Sequence, residues 1–201
     1  QSGLLDLAEQ EPLISIKFDQ RLVDVNFDNA CASFLHEHNI EKVSADILFG
    51  ADGAYSKVRR LAQETPRFSY SQSYMPQSYI ELHIPANDDG SFKMAKDALH
   101  IWPRKKFMLI ALPNPDGSFT CTLFLDFQGE VSFSSLTQRD DVEQFFQANF
   151  ADAMALLENP IDEFMAKTAN PLFLVNIDPW VINEKVALIG DAAHAMVPFY
   201  G

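Results

Sequence analysis

Cysteine is nearly absent from this chain: Cys31 and Cys121 are the only two among 201 residues. They lie far apart and in no C-x-x-C pair, which removes both a disulfide framework and a thiolate zinc site. A reducing compartment fits that usage. Basic side chains are scarce as well, 15 Lys and Arg against 28 Asp and Glu, for a net charge of −13. Nucleic acid and anionic membrane would both be repelled, so neither is expected as a partner. No apolar run approaches the ~18 residues of a membrane-spanning helix, and no signal peptide is visible. The eight glycines contain no G-x-G-x-x-G. There is no G-x-S-x-G elbow and no Cys/His pairing, which removes the usual carriers of acyl transfer. His36, His38, His83, His100 and His194 show no metal-ligand spacing, so no metal is expected.

What is present begins with 47% apolar residues, enough for one or two domains with real cores. The richest local pattern is the closing stretch, residues 185–201, KVALIGDAAHAMVPFYG. Residues 186–189 are short and apolar, as in a buried strand. Gly190 follows as a turn, Asp191 as a helix N-cap, and Ala192, Ala193 and Ala195 as helix formers. Pro198 closes the segment. A strand that ends in Gly-Asp and opens a helix sets backbone N–H groups beside a carboxylate, where ligands sit in open α/β sheets. The plainer alternative is that Asp191 only caps, worth ~1 kcal/mol.

Ala51-Asp52-Gly53-Ala54 is built in the same way, with residues 45–49 as a buried strand running into it. Gly53 permits positive φ and close approach to a ligand. Asp52 accepts hydrogen bonds from a ribose or caps a helix starting near Ser56. Lys57, Arg59 and Arg60 crowd that helix's first turns, against its dipole. They form either a solvated basic face or, through Arg59 or Arg60, a hold on a nucleotide phosphate.

Elsewhere residues 2–10 read as a helix, 14–18 and 22–27 as alternating strands, 31–35 as a short strand and 37–44 as a polar turn. Residues 66–74 mark a crossing into a second domain. There the pattern is strand throughout, over 79–84, 98–102, 107–112 and 119–127. Asn114-Pro115-Asp116-Gly117 supplies a type I turn between the last two. Period two puts Met108, Ile110 and Leu112 on one face and Leu109 and Ala111 on the other. Likewise Thr120, Thr122 and Phe124 are separated from Phe119, Cys121, Leu123 and Leu125. Both faces are largely apolar, so periodicity leaves open which one packs on helices. Residues 136–150 and 151–157 read as helices, and 172–177 as a returning strand. The fold class expected is mixed α/β (α+β). One domain over 1–65 and 172–201 is interrupted by an antiparallel β-sheet domain with helices over 66–171.

These residues carry a resemblance. LIGDAAHAMVPFYG resembles the second flavin-binding motif of the single-component flavin aromatic hydroxylases, the class of p-hydroxybenzoate hydroxylase, and ILFGADGAYSKVRR resembles their DG motif. LHIWPRKKFMLIALPNPDGSFTCTLF and PRFSYSQSY are similar to the kynurenine 3-monooxygenase family within that class. The likeness implies that residues 1–65 and 172–201 are a partial FAD-binding, Rossmann-like domain, with FAD as cofactor, NADPH as electron donor and O₂ as co-substrate. It implies hydroxylation of L-kynurenine to 3-hydroxykynurenine through a flavin hydroperoxide, with no catalytic side chain. By the same resemblance Leu22, Asp52, Gly53, Gly190, Asp191 and Pro198 bind the cofactor, Asp191 through the ribityl chain. Leu99, Ile110, Leu112, Thr122, Phe124, Pro198 and Phe199 line the substrate pocket. Leu22 and the strand residues read equally well as plain core.

The family's ADP-binding unit, and the arginine and tyrosine that grip the substrate carboxylate, would lie upstream of Gln1. The chain therefore reads as an interior fragment, colourless and inactive by itself. Location would follow the source, cytoplasmic in a bacterium or at the mitochondrial outer membrane in a eukaryote. Two other readings stay open: a salicylate- or p-hydroxybenzoate-type hydroxylase, and a non-catalytic domain that kept the flavin fold without its cofactor.

Overall fold

A computed structural model describes residues 2–197. In chain order the elements begin with α1 (Ser2–Gln10), β1 (Arg21–Asn26), β2 (Cys31–His36), β3 (Asn39–Ser44), β4 (Leu48–Gly50) and α2 (Lys57–Ala62). Next come β5 (Ser69–Ile84), β6 (His100–Arg104), β7 (Phe107–Pro113), β8 (Phe119–Asp126), α3 (Arg139–Met154) and α4 (Pro160–Ala166). The last are β9 (Asn170–Asp178), β10 (Val181–Ile182), β11 (Val186–Leu188) and α5 (Asp191–His194). Residues 2–72 with 175–197 form one compact unit and 73–174 a second. The architecture is mixed α/β with antiparallel sheets.

In the first unit β1, β2 and β3 form an antiparallel sheet, and β10, β11 and β4 form another in which β11 runs parallel to β4. Three local expectations change here. Residues 14–18 alternate but form no strand: Ile14 and Phe18 are exposed, and no described strand pairs with them. The polar run expected as a turn is largely β3, in unbroken register with β2 from Cys31 opposite Ser44 to His36 opposite Asn39. An exposed edge strand buries no face, so it carries no apolar alternation to read. The buried strand expected over 45–49 contracts to β4, and Phe49 is 62% exposed, because β4 is the sheet's edge.

In the second unit the sheet runs β6-β7-β8-β5-β9. Its packed face is now identified. Leu109, Ala111, Phe119, Cys121, Leu123 and Leu125 are fully buried against Val142, Phe145, Phe146 and Phe150 of α3 and Phe164 of α4. The α3 stripe follows helical spacing, and Asp140 and Asp141 in its first turn suit the dipole. Helix α3 begins after Gln138 rather than at residue 136, with no side-chain cap from Thr137, and departs from helical geometry at Phe150. The Asn114–Gly117 turn closes as expected, Gly117 N–H donating to the Asn114 carbonyl at 3.2 Å. The Asp116 carboxylate accepts from the Ser118 hydroxyl and N–H at 2.6 and 3.0 Å, which holds its pKa below the usual value.

Burial, with a lesser push from Glu163, raises the Cys121 thiol to about 12. Since the thiolate is the reactive form, Cys121 is expected to resist a thiol reagent at pH 8 until the protein unfolds. Half-buried Cys31 should react in the folded state. Counting labelled thiols by mass spectrometry before and after denaturant checks this; early labelling of Cys121 would contradict the packing of the β8 inner face.

Candidate functional site

The site is set by two neighbouring strands. Because β4 and β11 are parallel and paired, Leu48 opposite Val186 through Gly50 opposite Leu188, their C-terminal ends lie side by side. Each strand leaves the sheet through an acid–glycine corner: Asp52-Gly53 after β4, Gly190-Asp191 after β11. The pairing extends to the corners, with Ile189 N–H donating to the Gly50 carbonyl at 3.0 Å. Gly53 and Gly190 take φ of 76° and 58°, and a Cβ at either would meet nothing within 4 Å. Glycine is thus required there for backbone conformation, not for space inside the protein.

The two aspartates differ in a way the sequence does not reveal. Asp52 is a capping group. Its Oδ1 accepts from the Ser56 hydroxyl at 2.5 Å, and its Oδ2 from the N–H groups of Lys57 and Val58 at 2.6 and 3.0 Å. Asp191 does not cap. Gly190 occupies the N-cap of α5 and Asp191 is its first helical residue. Its exposed carboxylate has no protein partner among the described residues. A free acceptor beside a glycine turn, at the C-terminal end of a parallel strand, suits the hydroxyl-bearing chain of a flavin.

Arg59 joins the corners and corrects the expectation of a solvated basic helix face. It is 4% exposed, and its guanidinium donates to the Ala192 carbonyl at 2.8 Å, the Asp191 carbonyl at 3.5 Å and the Ala54 carbonyl at 2.5 Å. It also lies 5.5 Å from the centre of the Tyr70 ring. The carbonyls of a four-residue helix have no intrahelical donors, and Arg59 supplies donors to those of Asp191 and Ala192. Those donors are therefore turned toward protein rather than toward a phosphate. His194, assigned little by sequence, stacks on Trp180 with ring centroids 4.9 Å apart. Leu22 is half-buried in β1 and lines a depression with Arg21, Val23, Lys57 and Arg60.

In the second unit the register groups most of the predicted substrate residues. Ile110 lies opposite Thr122, and Met108 opposite Phe124, on the face away from α3 and α4. Leu112 shares that face and is 39% exposed, whereas Ile110 and Phe124 are 4% and 3% exposed. Leu99 is half-buried and sits just before β6, outside the strand expected to contain it. A cavity of about 240 Å³ opens on this face, lined in part by Met75, Pro103, Met108, Phe124 and Leu172, somewhat under the ~300–1,000 Å³ usual for ligand pockets. Of the predicted residues only Phe124 lines it. A larger cavity of about 780 Å³ lies between the β6–β7 turn and α3 and contains none of them. Its size is no argument for chemistry, because its floor is the packed side of the sheet domain. Pro198 and Phe199 lie outside the described residues. Among the described residues no helix is long and apolar enough to cross a membrane, and no cluster suits a metal ion.

Comparison with known proteins bears on this geometry. The kynurenine 3-monooxygenase of Flavobacterium psychrophilum is 49% identical over 200 residues, covering 98% of this chain and 44% of that protein. That of Flavobacterium johnsoniae is 44% identical over 200 residues, covering 98% and 45%. The chain thus spans less than half the length of these curated relatives. A solved structure of 2-methyl-3-hydroxypyridine-5-carboxylic acid oxygenase matches with a TM-score of 0.67 at 20% identity, covering 92% of this chain and 47% of the other; it speaks to the fold alone. The model of the FAD binding domain family matches residues 2–201. With that match running almost end to end, and with paired acid–glycine corners at the ends of parallel strands, this chain belongs to the FAD binding domain family.

Proposed function

We propose that the chain is part of an FAD-dependent aromatic monooxygenase that uses NADPH and O₂ to hydroxylate L-kynurenine to 3-hydroxykynurenine. Residues 1–65 and 172–201 serve the cofactor domain and 66–171 the substrate domain. The observation that carries this reading is the uncommitted Asp191 carboxylate beside the Asp52 corner. Relatives named kynurenine 3-monooxygenase, 40–49% identical to this chain, support the choice of substrate.

The bound flavin supplies the electrophilic oxygen, derived from O₂. The protein's part is to bind, orient and dry the site. Asp191 accepts hydrogen bonds from the flavin's hydroxyl chain. Gly53 and Gly190 let backbone come close to the cofactor, Asp52 fixes the first corner, and Leu22 offers its backbone. Ile110, Leu112, Thr122 and Phe124, with Leu99 beside them, form an apolar wall that orients an aromatic ring and limits water. Pro198 and Phe199 complete the cofactor and substrate contacts by resemblance.

The test uses the full-length protein. Oxidation of NADPH should be stimulated by L-kynurenine more than by salicylate or p-hydroxybenzoate, with 3-hydroxykynurenine detected as product. Stimulation by one of the other two acids would replace the substrate assignment. Leu112→Ala should leave the melting temperature nearly unchanged and raise the KM for L-kynurenine about five- to tenfold, as expected for ~1–1.4 kcal/mol of lost apolar contact. An unchanged KM would remove Leu112 from the wall.

A further inference from the structure

We infer that the cavity of about 780 Å³ between the β6–β7 turn and α3 is a contact surface for a second copy of this chain, the two copies packing face to face about a two-fold axis. The inference goes beyond the flavin-enzyme reading and does not rest on it; every residue that lines the cavity belongs to the second unit. The floor of the groove is apolar, with Phe107 and Leu136 half-buried and Phe145 buried beneath them. At its edge Val131 is 43% exposed. An open apolar floor of this extent gains free energy when another surface covers it.

The charges around that floor identify the covering surface. Asp141 stands at one end, in the first turn of α3, and Glu130 lines the groove with it. Lys105 stands toward the other end. Its neighbour Arg104 donates to the Asn149 carbonyl at 2.6 Å and pairs with Asp152 at 3.6 Å, which ties the β6–β7 turn to the later turns of α3. Asp141 and Asn149 are separated by ~12 Å along the helix axis. Lys105, Glu130 and Asp141 are exposed, and none of the three side chains makes an ion pair or hydrogen bond with a described residue. A groove with a cation at one end, an anion at the other and an apolar middle is its own complement. A two-fold axis lays the Lys105 of each copy against the acidic end of the other. Helix α3 then meets its twin antiparallel, with the two dipoles opposed. Gln144 and Ala148, one turn apart on the exposed side of α3, leave a neutral strip where the two helices can approach. The net charge of −13 opposes self-association over most of the surface. In this groove the lining charges cancel, Arg104 and Lys105 against Glu130 and Asp141.

The test is the self-association of the full-length protein, read by sedimentation velocity over a concentration series at low and moderate salt. Wild type should form a dimer. Lys105→Glu in one variant, and Glu130→Lys/Asp141→Lys in another, should each weaken that dimer about tenfold or more, because like charges then face each other across the axis. Mixed in equal amounts, the two variants should pair with one another to within about twofold of wild-type affinity, since every end now meets its opposite. A folding fault in either variant could not produce that rescue, and unchanged melting temperatures would confirm that both are folded. A wild type that stays monomeric throughout the series would overturn the inference, whether the groove is filled by another stretch of the full-length chain or left open. Variants that dimerise as wild type does would place the dimer contact on another face and overturn it too. Folded variants that fail to pair with one another would do the same. Flavin content, followed in the same samples, should be unaffected by either variant, so the outcome leaves the cofactor assignment to its own tests.

Discussion

Asp191→Ala in the full-length protein is expected to release flavin from a molecule that remains folded. The carboxylate neither caps α5 nor meets a described protein partner, so its removal leaves no buried group unsatisfied. The stability change should stay within the ±0.5 kcal/mol typical of uncommitted surface positions. A carboxylate accepting from flavin hydroxyls makes hydrogen bonds worth ~1.5–3 kcal/mol, so FAD should bind roughly ten- to a hundredfold more weakly. Flavin absorbance after gel filtration, set against the urea midpoint of the same preparation, separates the two effects. A variant that keeps its flavin but loses ~1 kcal/mol of stability would restore the capping role.

Arg59→Ala should do the reverse, weakening the fold first and losing flavin as a consequence. The guanidinium is buried, and it satisfies carbonyls at Ala54 and Ala192 that have no other donor among the described residues. Each buried carbonyl left unpaired costs ~1–3 kcal/mol, so a total of about 3 kcal/mol is expected. That is a large part of the ~5–15 kcal/mol that holds a domain together. Arg59→Lys keeps the charge but cannot span two carbonyl groups with a planar fork; it should recover less than half of the loss. Urea unfolding monitored by tryptophan fluorescence serves here, since Trp180 stacks on His194 within α5. An Arg59→Ala protein of wild-type stability with impaired nucleotide binding would show that the side chain faces ligand rather than backbone.

The corners and the sheet domain were legible because their signals are local. A short apolar run meeting Gly-Asp gives a strand and a turn whatever surrounds it, and β11 with buried Val186 and Leu188 fits that pattern. Period two likewise sorted Ile110, Thr122 and Phe124 from Leu109, Cys121 and Leu123. Only the helices of the second unit decided which set was the packed one. Edge strands were illegible for the opposite reason. β3 pairs through its backbone and exposes every side chain, so no pattern marks it, while residues 14–18 have the pattern but no strand partner among the described residues, only the Lys17–Glu41 ion pair to β3. Asp52 caps through residues four to six positions away, one of the two readings its sequence offered. The roles of Asp191 and Arg59 were beyond sequence, the first set by the lack of a described partner and the second by a long-range one. Nothing between residues 59 and 192 announces the hydrogen bond that joins them. The grouping of Arg21 with Lys57 and Arg60 depends in the same way on α2 packing against β1.

The most direct measurement is a crystal structure of the full-length protein grown with FAD. The flavin's hydroxyl chain should lie within hydrogen-bond reach, about 2.6–3.2 Å, of the Asp191 carboxylate, with the cofactor passing between the Gly53 and Gly190 turns. Flavin bound elsewhere, with Asp191 left facing solvent, would contradict the pairing of the two corners around one cofactor.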